Sequence, residues 1–161
     1  MVGDTIICLL VSFLKNGFKF IEEYTADIAF IAYGESLEEM FVNAAKALME
    51  IQTDLSKIEP KKCVEVSVDG FDLENLMKKW LEELLFYRDV ELLFFSVFEI
   101  KIIEEGTGEM DKRYRLWGKI CGEKFDPNKH ESKVEVKAIS YHDMKIEKKN
   151  NTYYAHVLVD I

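Results

Sequence analysis

Residues 62–80 read KCVEVSVDGFDLENLMKKW, and this stretch decides the fold class. Its first half alternates, with valines on one side and charged or polar residues on the other, which is typical of a half-buried strand. Gly70 ends that strand, and Asp72 can cap the N-terminus of a helix with its side chain. Apolar residues then recur at intervals of three and four, the helical spacing. A strand followed at once by an amphipathic helix predicts that both elements pack on a shared core.

The same order of elements occurs earlier in the chain. Residues 27–33 are apolar and rich in β-branched side chains, which predicts a buried strand that Gly34 ends. Ser36 and Glu39 then have the spacing of a capping box, in which each side chain accepts a hydrogen bond from an otherwise unpaired backbone amide. The apolar stripe that follows predicts a helix running to about Ile51.

The remaining segments alternate or end in turn residues, which predicts strands joined mostly by hairpins. Two helices among many such strands predict an α+β fold, in which the helices pack on one face of a mixed or antiparallel multi-stranded sheet. The predicted strands cover residues 18–23, 93–104 (with a possible bulge), 113–121, 133–141, 145–148 and 152–160, and Asn150-Asn151 forms a tight turn.

Length and charge limit the classes of partner. The chain has 161 residues, which suits one domain, and a net charge of −9 at pH 7. Nucleic-acid binding depends on neutralising phosphates with Lys and Arg, so extended direct contact with RNA or DNA is not expected. An acidic surface suits a basic protein or a cation. We expect a cytoplasmic protein that does not enter a membrane.

An apolar run near the N-terminus and the three cysteines bear on the cellular compartment of the protein. The apolar run Ile6–Leu14 is too short to span a bilayer and lacks the basic region of a signal peptide. It could add a strand, or cover an edge or a partner. Cys8, Cys63 and Cys121 show no metal-binding spacing, and we expect all three to be buried thiols in a reducing compartment.

Carboxylates are the best candidates for chemistry, because the chain has no Walker loop, GxGxxG, GxSxG or HExxH motif. Asp27 lies at a corner between two predicted strands. Asp160 precedes Ile161, whose terminal carboxylate a strand could hold in a defined place. Carboxylates that are brought together repel one another unless a proton or a cation lies among them. An all-oxygen set favours Ca²⁺ or Mg²⁺ over zinc.

Several segments in a fixed order resemble the archease family. These are residues 21–28 (IEEYTADI), 34–39 (GESLEE), 53–55 (TDL), 122–142 (GEKFDPNKHESKVEVKAISYH) and the final Asp-Ile. The resemblance covers about residues 18–161, so residues 1–17 are interpreted as an apolar extension of unknown role. Tyr24 stands where the family motif usually has His.

The resemblance implies an accessory protein rather than an enzyme. Archeases help an RtcB-type tRNA-splicing RNA ligase to complete multiple turnovers by promoting guanylylation of its active-site histidine. The family's metal-binding residues correspond to Asp27, Asp160 and Ile161, and Asp54 is an additional acidic candidate. The implied cofactor is a divalent cation, with Ca²⁺ preferred and Mg²⁺ or Mn²⁺ as alternatives.

Two other functions stay open on the sequence. A metal-dependent phosphoesterase would use Asp27, Asp54 and Asp160 as ligands, with His130 or His142 as the base. A general chaperone-like module would hold client proteins through the apolar N-terminal run. Turnover of phosphate esters without a partner would indicate the first of these. Loss of binding on removal of residues 1–17 would indicate the second.

Overall fold

The computed structural model describes residues 17–23 and 26–161, without the side chains of residues 22 and 23. The run Ile6–Leu14, Cys8 and Tyr24 lie outside the described residues. Within those ranges the chain forms two α-helices, a short 3-10 helix and seven strands. In chain order they are β1 (Phe18–Glu23), β2 (Asp27–Gly34), α1 (Leu37–Gln52), the 3-10 helix (Leu55–Lys57), β3 (Lys62–Gly70), α2 (Leu73–Glu91), β4 (Leu93–Glu105), β5 (Arg113–Lys124), β6 (Ala138–Lys149) and β7 (Thr152–Asp160).

The strands form two antiparallel sheets. The first sheet has the strand order β1-β2-β7-β6, and the second has the order β3-β5-β4. Each helix contacts strands of both sheets, so the helices and the inner sheet faces enclose one hydrophobic core. Phe30, Phe41 and Trp80 are fully buried there, and the indole nitrogen of Trp80 donates to the Phe41 carbonyl at 2.9 Å. The α+β prediction is confirmed, and the structure adds that the strands divide between two sheets.

Both helices begin where the sequence predicts, because each has a side-chain cap. Ser36 Oγ accepts a hydrogen bond from the Glu39 amide at 3.1 Å, and Asp72 Oδ1 accepts one from the Asn75 amide at 2.7 Å. In the predicted capping box, the Glu39 carboxylate accepts from the Glu35 amide at 3.4 Å rather than from Ser36. Neither helix in the described residues combines the length and apolar character that a bilayer crossing requires.

Glycine allows each of these helices to start directly after a strand. A Cβ atom on Gly34 would lie 2.6 Å from the Met40 amide nitrogen, and one on Gly70 would lie 2.6 Å from the Leu76 amide nitrogen. Real Cβ atoms do not approach backbone this closely. The two glycines therefore let the first helical turn pack against the end of the strand.

The predicted turn and bulge are confirmed. Asn150 and Asn151 have positive φ angles of 51° and 66°, as the two-residue turn between β6 and β7 requires. The pairing of β4 with β5 shifts register between Phe95 and Val97. Asn tolerates the left-handed region better than most residues, so this turn was visible in the sequence.

The predicted strand over residues 133–141 is wrong in its first part, since β6 begins at Ala138. Residues 131–137 lie outside both sheets and bind the C-terminal end of α1. Two of their amides donate to the carbonyls of Ile51 and Gln52, at 3.3 and 3.0 Å. The last carbonyls of a helix have no partner within it, and this segment supplies donors for them. Alternating valines show that one side of the segment is buried. A segment that packs against the end of a helix has such a buried side without being a strand.

The expectation of three free thiols is wrong for two of the cysteines. Cys63 of β3 lies directly opposite Cys121 of β5, and the two form a disulfide across 58 residues of sequence. Cys63 is exposed rather than buried. The sequence could not show this pair, because it depends on the register between strands that are distant in the chain. The argument for a reducing compartment from free thiols therefore no longer holds.

We expect reduction of this disulfide to destabilise the protein. Closing a loop of this length restricts the unfolded chain, and that effect is worth about 4 kcal/mol. Thermal unfolding should show a lower Tm with a phosphine reductant than without it. A Cys63→Ser/Cys121→Ser variant is the control and should show no response to the reductant. Equal Tm values for the unmodified protein in both conditions would contradict the assignment.

Candidate functional site

The pairing of β2 with β7 brings the two predicted aspartates together. Asp27, the first residue of β2, lies directly opposite Asp160, the last residue of β7. Directly opposed residues of antiparallel strands have Cβ atoms about 5 Å apart. The Ile161 amide donates to the Ala26 carbonyl at 2.9 Å, which continues the pairing by one residue. The main chain of Ile161 is therefore held beside the aspartate pair.

The electrostatics of the pair show that the two carboxyl groups interact. Loss of surrounding water is the main cause that raises the pKa of Asp27, and the hydrogen bond and the charge of Asp160 raise it further. The nearby His142 acts in the opposite direction. A raised carboxyl pKa beside a second carboxyl indicates that the charged form is disfavoured unless a positive charge compensates it.

The oxygen donors around Asp27 and Asp160 suit a hard cation only if the main chain supplies one of them. In residues 17–23 and 26–161, no group of three or more His, Cys, Asp or Glu side chains could hold a metal ion. Asp27 and Asp160 supply two carboxylates, and the terminal carboxylate of Ile161 is the third oxygen donor of the predicted set. Oxygen donors of this kind suit Ca²⁺ and Mg²⁺. The fit therefore depends on a group that is not a side chain.

Asp54, the additional acidic candidate, has a local structural role. It precedes the 3-10 helix and accepts hydrogen bonds from the Ser56 amide at 3.0 Å and from the Ser56 hydroxyl at 2.7 Å. These hydrogen bonds lower the pKa of Asp54. The structure does not group Asp54 with Asp27 and Asp160, since the described residues contain no cluster of three such side chains.

A bulge in β6 lies beside the aspartate pair. Residues 141–144 stand between Ser140 and Lys145, which are consecutive paired residues on β6. The bulge carries His142, whose side chain is 78% exposed and whose electrostatic interaction acts to lower the pKa of Asp27. Bulges of this kind often direct a side chain towards a functional site.

A buried carboxylate that the sequence did not reveal organises the loop after β5. Glu123 is 8% exposed and accepts hydrogen bonds from the Glu59 amide at 2.6 Å and from Lys129 Nζ at 2.7 Å. Burial acts to raise the pKa of Glu123, but its contacts with Lys129, Glu59 and His130 lower it to about 2. Glu59 is 64 residues away from Glu123 in sequence, so the sequence pattern could not predict this contact. The family resemblance of segment 122–142 was the one sequence feature that pointed to this loop.

His130 belongs to the same cluster. Its Nδ1 accepts a hydrogen bond from the Asp126 amide at 2.8 Å, so the proton of the neutral ring is on Nε2. That nitrogen lies 3.3 Å from Glu123 Oε2. The ring is only 4% exposed, and both of its nitrogens face protein groups. His130 therefore stabilises the turn and is poorly placed to act as the base of a phosphoesterase.

The sequence pattern of the Archease protein family (MTH1598/TM1083) matches residues 18–161. The chain belongs to the archease family. The protein archease of Sulfurisphaera tokodaii is 52% identical over 144 residues, which are 89% of this chain and 98% of that relative.

Solved structures support the same family fold. Methanobacterium thermoautotrophicum protein 1598 has a TM-score of 0.73 and 36% identity, over 91% of this chain and 99% of its own. The structure of an archease from Thermotoga maritima, described as a possible chaperone, has a TM-score of 0.55 over 89% of this chain and 97% of its own. At 21% identity it shows the archease fold alone.

The Glu123 cluster of this archease predicts a specific pH dependence. The folded-state pKa of Glu123 lies below its ordinary value of 4.5. Its ionised form therefore stabilises the fold above that value, and this stabilisation is lost as the pH falls towards 2. We expect Glu123→Gln to lower the Tm at pH 7, and the difference from the unmodified protein to shrink below pH 4.5.

Circular dichroism melts at a series of pH values test this expectation. Glu99→Gln, which removes an exposed carboxylate from the second sheet, is the matched control and should change the Tm little at pH 7. A Tm difference between Glu123→Gln and the unmodified protein that stays constant from pH 7 down to the lowest pH measured would contradict the assigned role of Glu123.

Proposed function

We propose that this archease is a non-catalytic activator of an RtcB-type tRNA-splicing RNA ligase. It would promote guanylylation of the ligase and so allow multiple turnovers in tRNA splicing. Membership of the archease family supports the choice of partner. The observation that carries the proposal for the site is the register of β2 on β7, which places Asp27 directly opposite Asp160.

Asp27, Asp160 and the terminal carboxylate of Ile161 would hold a divalent cation, with Ca²⁺ preferred over Mg²⁺ or Mn²⁺. When bound, the cation would supply positive charge that can polarise phosphate oxygens. The two aspartates would orient it, and the hydrogen bond from the Ile161 amide to Ala26 would keep the terminal carboxylate beside them. The raised pKa of Asp27 supports this role, because a cation would relieve the repulsion from Asp160.

The overall charge supports docking to the ligase rather than to RNA. A ligase that acts on RNA needs a basic surface near its active site, and this archease has a net charge of −9. Opposite charges accelerate association and favour one orientation of docking. The proposal includes a cytoplasmic location, and it assigns the activity to residues 18–161 with residues 1–17 as an extension.

A chaperone-like function is the second candidate. The solved archease from Thermotoga maritima is described as a possible chaperone. Client binding would need apolar surface, and the run Ile6–Leu14 is one candidate for it. A variant that lacks residues 1–17 would lose client binding under this alternative, and would keep ligase activation under the main proposal.

We expect this archease to raise the number of RNA products formed per ligase molecule in an assay with GTP and excess RNA. Asp27→Asn and Asp160→Asn should reduce the product to the level of the ligase alone, because each removes a carboxylate from the site. Glu65→Gln, an exposed carboxylate on the second sheet, is the matched control and should stimulate like the unmodified protein. Circular dichroism should first establish that all variants are folded.

Two results would contradict this proposal. Near-equal turnover with and without the archease would exclude ligase activation. Hydrolysis of phosphate esters by the archease alone, lost in Asp27→Asn, would indicate the phosphoesterase instead.

A further inference from the structure

The outer face of the first sheet carries a second group of functional side chains beyond the aspartate pair. Alternate residues of a strand point to the same face, so Ile31 and Tyr33 share this face with Asp27. Their partners on β7 are His156 and Tyr154. On β6, Lys145 pairs with His156 and Glu147 pairs with Tyr154. The inner face, in contrast, consists of buried apolar residues.

A cleft of about 360 Å³ lies on this outer face. Its lining residues are Ile31, Lys145, Glu147, Lys149, Tyr154 and His156. That volume is within the range of small-molecule sites, which is roughly 300–1,000 Å³. The lining combines the aliphatic side chain of Ile31, the ring of Tyr154 and several charged groups, which suits a small polar ligand.

The cleft has an excess of positive charge, although the protein as a whole is acidic. Lys145 Nζ lies 2.8 Å from Glu147 Oε1, and Lys149 Nζ lies 3.3 Å from Glu147 Oε2. The single carboxylate of Glu147 therefore forms ion pairs with both ammonium groups. Outside the lining, Lys19 of β1 pairs with Ile31 and so adds a further positive charge to the same face. This local charge suits an anion and would repel the basic surface of an RNA-binding partner.

Aromatic rings stand next to these lysines. Tyr33 and Tyr154 are direct cross-strand partners, and their rings stack with centroids 6.4 Å apart and an interplanar angle of 27°. Aromatic faces beside cationic side chains are the usual means of holding a nucleobase and its phosphates. Aliphatic anions would use the lysines but gain nothing from the rings.

The cleft lies on the same face as the aspartate pair. Asp27 and Ile31 are four residues apart on β2, which corresponds to roughly 13 Å at about 3.3 Å per residue. The residues between them on this face, Ala29 and its partner Leu158, are uncharged. A polyphosphate chain extending from the cleft towards Asp27 would therefore run over uncharged residues of β2 and β7, with Glu22 of β1 paired to Ala29 beside this path.

We propose that this cleft binds a nucleoside triphosphate, with the base against Tyr154 and the phosphates on Lys145 and Lys149. The inference goes beyond ligase activation, because it concerns binding by the archease alone. Adenine and guanine both stack on a tyrosine ring, so adenine and guanine nucleotides should bind similarly.

Fluorescence anisotropy of a methylanthraniloyl-labelled ATP, titrated with the full chain, tests this proposal. Saturable binding is expected, with a similar affinity for the labelled GTP. Lys145→Ala/Lys149→Ala should weaken binding by about tenfold or more, because two charge-assisted contacts are lost. Tyr154→Leu, which keeps an apolar side chain, should weaken it on the order of fivefold. Lys101→Ala/Lys119→Ala on the second sheet removes the same charge and should leave the affinity unchanged.

Competition with inorganic triphosphate separates the base from the phosphates. Displacement at much higher concentrations than ATP supports the proposal, whereas equal competition would overturn the role of the tyrosines. No saturable binding, or equal affinity in the unmodified protein and the folded Lys145→Ala/Lys149→Ala variant, would overturn the site itself. Lys149→Ala alone serves as a milder variant if the double one is unfolded. None of these failures would affect ligase activation, which is measured separately.

Discussion

The backbone pairing of β2 with β7 is the constraint on which the candidate site depends. It joins the strand that starts at Asp27 to the strand that ends at Asp160, and it places their carboxylates side by side. Burial of Phe30 and Val157 on the inner face fixes this register, because a slip of one residue would turn every side chain to the opposite face. The hydrophobic core thereby determines where the acidic groups of the site meet.

Local features of the fold were predictable, and features that depend on long-range register were not. Ser36 and Asp72 identified the helix starts because a cap interacts with residues only three positions away. The disulfide between Cys63 and Cys121 and the burial of Glu123 depend on strands and loops that are distant in sequence. Asp27 and Asp160 were anticipated from their positions and from the family resemblance, while their direct opposition required the sheet topology.

The outer face of the first sheet connects the two proposals. The aspartate pair would hold a cation at one end, and the lysine and tyrosine cleft would hold a nucleotide farther along the same strands. The positive cleft in a chain of net charge −9 is hard to explain as a surface for a basic ligase. An anionic ligand between the two proteins would remove that conflict and bring phosphates towards the cation.

Isothermal titration of the metal-free protein with Ca²⁺ tests the central claim most directly, because it measures the site without any partner. We predict saturable binding at one site per chain, loss of that binding in Asp27→Asn and Asp160→Asn, and its retention in Asp54→Asn, whose carboxylate caps the 3-10 helix. Absence of saturable heat in the unmodified protein, or unchanged affinity in Asp27→Asn, would contradict the account.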